Sequence, residues 1–219
     1  MLRNFIRSSI NRQGHKLDEW LKTSHCVLCG SAATPNPWCE CCASDLPKWT
    51  EPRLVLPGLD EVTVGYCYAF PLDRLIQIAK YRSNFMLASA LATLMPTPVT
   101  QLESTVVYPV PVSKWRLYRR GFNQTRILAD AIKSRIDCTL DEVSIHKRNW
   151  SKDQSSLDAS ARKRNARNLF YADFGVKRRH HAVIVDDVIT TGATLSALAL
   201  ILRRHGAERV DAVALSAVR

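Results

Sequence analysis

The chain has 219 residues, 46% of them hydrophobic, which is enough for one globular domain with a small additional module. Its formal net charge of +11 is uneven: residues 1–100 carry 10 Lys and Arg against 8 Asp and Glu, and residues 101–219 carry 21 against 12. No apolar run approaches the ~20 residues of a membrane span, and residues 1–16 lack the apolar stretch of a secretory signal, so the composition excludes an integral membrane protein and predicts a cytoplasmic one.

The chain is expected to begin with a lead-in over residues 1–22, followed by a cysteine-rich module over residues 23–58. The lead-in is mixed and mildly amphipathic, which predicts a packing arm. The module has almost no periodic apolar pattern, but it holds two short-spaced pairs, Cys26-x-x-Cys29 and Cys39-x-x-Cys42. Such pairs can bring four thiolates to one tetrahedral ion, and cytosolic cysteines bind metal more often than they form disulfides. The module is therefore predicted to be a zinc finger whose structural Zn²⁺ is coupled to folding.

The fourth ligand of this finger has two candidates. Cys41 could replace Cys42, but the spacing Cys39-x-Cys41 is less common, so Cys42 is preferred. Four thiolates leave no open coordination position, and no chemistry is expected at the metal. A redox dithiol is the other interpretation, and the lack of a βαβ context around these cysteines disfavours it.

Residues 59–219 alternate between strand patterns and helix patterns, which predicts an α/β fold with a mainly parallel sheet flanked by helices. The linker before this domain is indicated by Pro52, Pro57 and Gly58. The predicted strands are 62–70, 104–110, 142–146, 182–187 and 209–218. The predicted helices are 72–82, 85–95, 123–136 and 193–205. Residues 147–167 are polar and basic, and we expect a loop followed by a short helix there.

The segment VIVDDVITTGATL, residues 183–195, predicts a sugar-phosphate site. A buried parallel strand delivers Asp186 and Asp187 to its carboxyl end, where ligands of open α/β sheets bind. The loop that follows turns into a helix, and its backbone N–H groups and hydroxyls form an anion site. Its expected phosphate contacts are Thr190, Thr191, Gly192, Ala193 and Thr194. A capped helix with solvated acids is the alternative.

This segment resembles the phosphoribosyl pyrophosphate (PRPP) signature of type I phosphoribosyltransferases. In that signature four apolar residues precede two acids and a loop of the form Thr-Thr-Gly-x-Thr. The resemblance implies that Asp186 and Asp187 contact the ribose hydroxyls and that residues 190–194 hold the 5′-phosphate. It also implies that Mg²⁺ is bound largely by PRPP itself.

Two further blocks are similar to the ComF family. The first contains Arg120, Gly121, Phe122, Asn123, Gln124, Leu128 and Ala129, and the second contains Arg148, Gln154, Leu157, Arg162 and Asn165. With the tetracysteine finger, the resemblance covers residues 26–219. Members of this family are associated with natural competence, and a related subgroup bears a gluconate-utilisation name. The resemblance implies PRPP, single-stranded transforming DNA and proteins of the competence machinery as partners.

Two basic segments account for much of the positive charge, which indicates an anionic partner or serves only solubility. The first, residues 113–126, is expected to be a loop that binds pyrophosphate or nucleic acid through Lys114, Arg116, Arg119, Arg120, Asn123 and Gln124. Its aromatic residues could stack on bases or only pack the loop down. The second, residues 147–167, is expected to be a mobile lid with Arg148, Gln154 and Arg162, or a solvated basic face.

Three functions fit this sequence. The first is a competence-type protein that binds PRPP and handles single-stranded DNA. The second is a nucleobase or nucleotide-salvage phosphoribosyltransferase without a DNA role. The third is a DNA-binding adaptor whose pocket is vestigial or senses a metabolite. No general base is recognisable in the sequence. Transfer from PRPP can, however, rely on binding of the leaving pyrophosphate and on positioning of the acceptor. The sequence therefore leaves open which acceptor is used and whether PRPP is consumed.

Overall fold

The computed structural model describes residues 25–33, 36–100, 102, 104–148, 169–174 and 180–219. Its strands are β1 (Glu61–Cys67), β2 (Thr105–Pro109), β3 (Thr139–Leu140), β4 (Ile145–Lys147), β5 (Phe170–Ala172), β6 (His180–Ile189) and β7 (Ala207–Ala217). Five of them form one sheet in the order β1-β7-β6-β2-β3, and every neighbouring pair is parallel. Strands β4 and β5 form a separate antiparallel pair.

Helices cover both faces of the sheet. The helices of the described residues are α1 (Glu40–Ser44), α2 (Leu72–Tyr81), α3 (Phe85–Ala92), α4 (Lys114–Arg120), α5 (Gln124–Lys133) and α6 (Ala193–Arg204), of which α2, α3, α5 and α6 cover the sheet. Val183 and Val185 of β6 pack with α2, α3 and α5 in one apolar cluster, and the alternating residue Ile184 packs with α6 in a second cluster. Side chains alternate between the faces of a strand, so a continuous apolar run supplies both cores. Among the described residues no helix is both long and apolar enough to cross a membrane.

The predicted α/β fold with a mainly parallel sheet is confirmed, and most predicted elements are present with slightly different ends. The strand predicted at 142–146 is shorter, and as β4 it lies outside the main sheet. The elements β3, β5 and α1 had no sequence prediction, because two to five residues are too few to show a periodic pattern. The lead-in at 1–22 and the short helix expected before residue 167 lie outside the described residues.

The prediction of a loop over residues 113–126 is wrong for the first half of this segment, which forms helix α4. The Ser113 side chain accepts a hydrogen bond from Arg116 N at 3.4 Å and caps the start of the helix. Gly121, at φ +78°, ends it in the left-handed conformation that glycine adopts without strain. No residue of α4 is buried. Because the helix has no apolar face toward a core, it lacks the periodicity by which a sequence shows a helix.

The cysteine module packs directly against the helices of the larger domain. Cys26, Trp38 and Cys42 belong to the same apolar cluster as α2 and α3. Trp38 Nε1 donates to Ala90 O at 3.2 Å and contacts Thr93 Oγ1 at 3.0 Å. These bonds attach the module to the end of α3. The boundary between residues 58 and 59 stays a prediction.

Candidate metal site and ligand cleft

Four cysteine side chains converge in the N-terminal module. The Sγ atoms of Cys26, Cys29, Cys39 and Cys42 all lie within 4.8 Å of one another, and those of Cys29 and Cys39 are 3.6 Å apart. A regular tetrahedron with Zn–S bonds of ~2.3 Å has edges of ~3.8 Å, so the spacing suits such an ion. Cys41 is exposed and lies outside this group. The converging set contains Cys42, the preferred fourth ligand, and the cluster can bind a metal ion such as zinc; that Cys42 is a ligand stays a prediction.

The local structure explains how the four thiols meet. Gly30 N donates to Cys26 O at 3.0 Å and closes the turn that carries the first pair, while Cys39 precedes α1 and Cys42 lies within it. Burial, and then contact with the other cysteines, raises the pKa of the Cys42 thiol far above its usual range. A divalent cation bound by the four sulfurs would supply the positive charge that lets them all bind as thiolates.

A cleft of about 620 Å³ lies at the carboxyl ends of β2 and β6. The acids near the carboxyl end of β6 and the cations of α4 line it together. Its polar lining residues include Lys80, Arg82, Arg116, Arg119, Arg120, Asn123, Gln124, Lys147, Asp186, Asp187 and Thr194. The two regions that the sequence analysis treated separately therefore face one cavity, which combines carboxylates with a surplus of positive charge.

The two acids have different surroundings. Asp187 is 7% exposed, and its Oδ1 accepts a bond of 2.8 Å from Lys80 Nζ, at the end of α2. Asp186 Oδ1 accepts from Asp187 N at 2.9 Å. Burial, followed by the charge of Asp187, raises the pKa of Asp186 to about 7, although Lys80 and Lys147 oppose the shift. Near neutral pH the Asp186 carboxyl group is therefore partly protonated, so it can accept a hydrogen bond from a ligand hydroxyl or donate one to it.

Cations crowd together in the lining of the cleft. Burial, and then the nearby charge of Arg116, lowers the pKa of both Arg120 and Lys147. The Arg119 guanidinium lies over the Trp115 ring, 5.3 Å from its centroid. Neighbouring cations repel one another, and an anionic ligand relieves this repulsion because it brings negative charge close to them. This arrangement suits a phosphate or diphosphate group.

The loop after β6 leads into α6 beside the cleft, and its role as a phosphate cradle stays a prediction. Thr194 lines the cleft, while Thr190 and Thr191 are exposed on the loop and Ala193 is exposed as the first residue of α6. Gly192 begins α6 with φ +71°, and a Cβ at this position would lie 2.3 Å from Leu56 Cδ2. The positive φ favours glycine, and any larger residue would also have to displace the Leu56 side chain, a contact that the sequence did not reveal.

Some predicted site residues lie away from the cleft. Lys114 is exposed at the start of α4, and Arg148 stacks on Tyr171 with its guanidinium 5.1 Å from the ring centroid. Gln154 and Arg162, the other predicted lid residues, lie outside the described part of the chain. The structure adds three cations that sequence reasoning missed: Lys80, Arg82 and Lys147. The sequence did contain a signal for Lys80 and Arg82, because both lie at the basic C-terminal end of the amphipathic helix α2.

Comparisons with known proteins agree with this architecture. Residues 119–219 match the family model described as the phosphoribosyl transferase domain. DNA utilization protein YhgH of Escherichia coli (strain K12) is 35% identical over 194 residues, which are 85% of this chain and 81% of YhgH. Competence protein F of Haemophilus influenzae is 28% identical over 206 residues, 87% of this chain and 89% of the relative. Competence protein ComFC of Bacillus subtilis (strain 168) is 26% identical over 192 residues, 84% and 74% of the two chains.

Proposed function

Because this chain belongs to the ComF family of type I phosphoribosyltransferase-like proteins, we propose that it binds PRPP with Mg²⁺ in the cleft and handles single-stranded DNA in natural competence. The observation that carries the proposal is the shared cleft. Carboxylates that suit ribose hydroxyls and cations that suit phosphates line the same cavity of about 620 Å³. The reduced cysteine cluster fits the cytoplasm as the compartment and structural zinc as the metal.

PRPP fits this cleft through three sets of contacts. Asp186 and Asp187 accept hydrogen bonds from the ribose hydroxyls. Thr194 and the N-terminal end of α6 hold the 5′-phosphate, helped by the helix dipole. The diphosphate lies against the cations Lys80, Arg82, Arg116 and Arg120. Mg²⁺ bound with PRPP supplies further charge neutralisation at the diphosphate.

The DNA part of the proposal rests on the exposed side chains of α4, some of which also line the cleft. Tyr118 is 91% exposed and Trp115 is 62% exposed, and both stand among Lys114, Arg116 and Arg119. Exposed aromatic rings between cations are the features with which proteins stack bases and track a single-stranded backbone. The relatives named for DNA utilization and competence support the same partner.

Isothermal titration calorimetry with PRPP and Mg²⁺ tests the pocket. We expect saturable binding to the folded, zinc-loaded protein, and we expect the double variant Asp186→Ala/Asp187→Ala to weaken it by at least about tenfold, since two ribose contacts are lost. The control is Asp45→Ala, an acid outside the cleft lining. Absence of binding to the wild-type protein would sink the pocket assignment.

Release of pyrophosphate with a panel of nucleobases separates binding from turnover. A base that releases pyrophosphate from PRPP identifies an acceptor and supports a salvage-type enzyme. Binding of PRPP without release of pyrophosphate in the presence of any base supports a protein that uses PRPP as a bound signal. DNA affinity measured in the same samples shows whether either activity accompanies single-strand binding.

A further inference from the structure

Gln124, the first residue of α5, has a buried side chain that makes no hydrogen bond. It is 2% exposed. Within the described residues, its amide nitrogen and oxygen are the buried side-chain polar atoms that lack a partner. Buried polar groups are nearly always paired in folded proteins, because an unpaired group keeps the whole penalty of leaving water. The unpaired amide therefore calls for a physical explanation.

The residues next to Gln124 are hydrogen-bonded to each other. Thr125 Oγ1 donates to Val110 O at 2.7 Å, and Asn123 Oδ1 accepts from Thr125 N at 3.3 Å. Asn123 Nδ2 lies 3.4 Å from the same Val110 carbonyl. These bonds tie the start of α5 to the end of β2 without using the amide of Gln124. Gln124 itself lines the cleft, so the cleft is the side from which a partner can come.

The chemistry of an amide restricts the partner. The N–H donors and the oxygen acceptor lie side by side in one plane. A phosphate or diphosphate offers acceptors only, so it would pair the nitrogen and leave the oxygen unpaired. A nucleobase edge offers a donor beside an acceptor, and glutamine binds such an edge of adenine through two hydrogen bonds. The terminal torsion of glutamine is soft, so the amide can turn toward a ligand while α5 stays in place.

We propose that Gln124 is a specificity-determining residue that hydrogen-bonds the edge of a nucleobase in the cleft. The inference rests on the proposed function, in which cations of the same cleft hold the phosphates of the ligand. The base can come from two sources. It is either a free base or nucleotide beside PRPP, or a base of a DNA strand that lies on α4.

The test compares base preference with PRPP affinity in matched variants. Gln124→Leu removes both hydrogen-bonding groups, and Gln124→Glu keeps the shape but replaces the donor. The control is Gln77→Leu in α2, where the amide donates to Tyr68 Oη at 3.2 Å and lies outside the cleft lining. Calorimetry measures Mg²⁺–PRPP, the four nucleoside 5′-monophosphates, and homopolymers of dA, dC and dT.

We expect the wild-type protein to prefer one base over the weakest by at least about tenfold, the discrimination that one bidentate contact supplies. Gln124→Leu should reduce this preference to within about twofold and leave the Mg²⁺–PRPP affinity within about twofold of wild type. Gln77→Leu should change neither. Gln124→Leu should also melt no lower than wild type, because an apolar side chain replaces an unpaired buried amide.

Several outcomes would overturn the inference. One is a wild-type protein that binds all bases equally, and another is a Gln124→Leu variant that keeps the base preference. A third is a Gln124→Leu variant that loses affinity for Mg²⁺–PRPP and for bases alike, which would assign the amide to the sugar phosphate. If wild type fails to bind Mg²⁺–PRPP but shows a Gln124-dependent base preference, the proposed function fails and this inference stands. Preference seen with monophosphates alone assigns a free base, and preference seen with homopolymers alone assigns a strand.

Discussion

Replacing Lys80 with methionine should destabilise the unliganded protein by about 2–3 kcal/mol, between the effects of breaking exposed and buried ion pairs. Lys80 Nζ lies 2.8 Å from Asp187 Oδ1, and the two side chains are 24% and 9% exposed. Methionine keeps the length of the apolar stem but removes the charge. Most of the loss therefore comes from the Asp187 carboxylate, which stays largely buried without its cation.

A double-mutant cycle measured by urea unfolding isolates this pair. Adding Asp187→Asn to Lys80→Met should recover much of the lost stability, since a neutral amide needs no cation. The matched control is Lys133→Met, an exposed lysine that also lies in the last turn of a helix, and it should change the unfolding free energy by no more than about 0.5 kcal/mol. A Lys80→Met effect equal to the control, or strictly additive effects in the cycle, would refute the ion pair.

The same variants test the cleft. If Lys80 contacts the diphosphate and also holds Asp187 in place for the ribose, Lys80→Met should weaken Mg²⁺–PRPP binding at least about tenfold, as expected for loss of one charged hydrogen bond. Lys133→Met should bind as wild type does. Unchanged PRPP affinity in Lys80→Met would place the lysine in folding alone.

Further predictions concern the metal, the pH dependence and the DNA surface. Metal analysis should find about one zinc per chain in wild type and in Cys41→Ser, and zinc should be lost in Cys42→Ser; the reverse pattern would contradict the ligand set. Because the pKa of Asp186 is raised to about 7 in the folded state, folding binds a proton between about pH 4 and pH 7. Wild-type stability should fall across that range relative to Asp186→Asn in thermal unfolding, and a rise would contradict the burial argument. Tyr118→Ala should weaken binding of a dT oligonucleotide by about 5- to 100-fold in fluorescence anisotropy, whereas Tyr171→Ala, an exposed tyrosine outside α4, should not. Affinity should also fall steeply with salt, because phosphate contacts release counterions, and salt-independent binding would argue against a DNA role.

The sequence predicted the features whose chemistry is local. Two CxxC pairs allow few alternatives, and their convergence on four close sulfurs is confirmed. The alternation of apolar runs with amphipathic stretches indicated the parallel α/β sheet, because burial on both faces needs such runs. Asp186 and Asp187 could be placed near the carboxyl end of β6 because two acids follow a continuous buried apolar run, although the strand continues to Ile189.

Helix α4 and the role of Gly192 depended on the tertiary structure. α4 has no buried residue, so its sequence carries no apolar period from which a helix could be predicted. The packing of Leu56 against Gly192 joins residues that are far apart in the chain, and no local pattern indicates such a contact.

The residues of the cleft also divide into those that the local sequence indicated and those that only the tertiary structure revealed. The acids were recognisable from β6 alone, but Lys80 reaches Asp187 across 107 positions of sequence. A parallel sheet gathers the carboxyl ends of its strands at one edge, and the segments that follow them meet there whatever their distance along the chain. The sequence by itself therefore determined which chemical groups the protein carries at its strand ends and in its cysteine pairs. Only the tertiary structure decided which cations meet the acids and that Gln124 is buried without a partner, because both depend on packing between segments that local patterns do not relate.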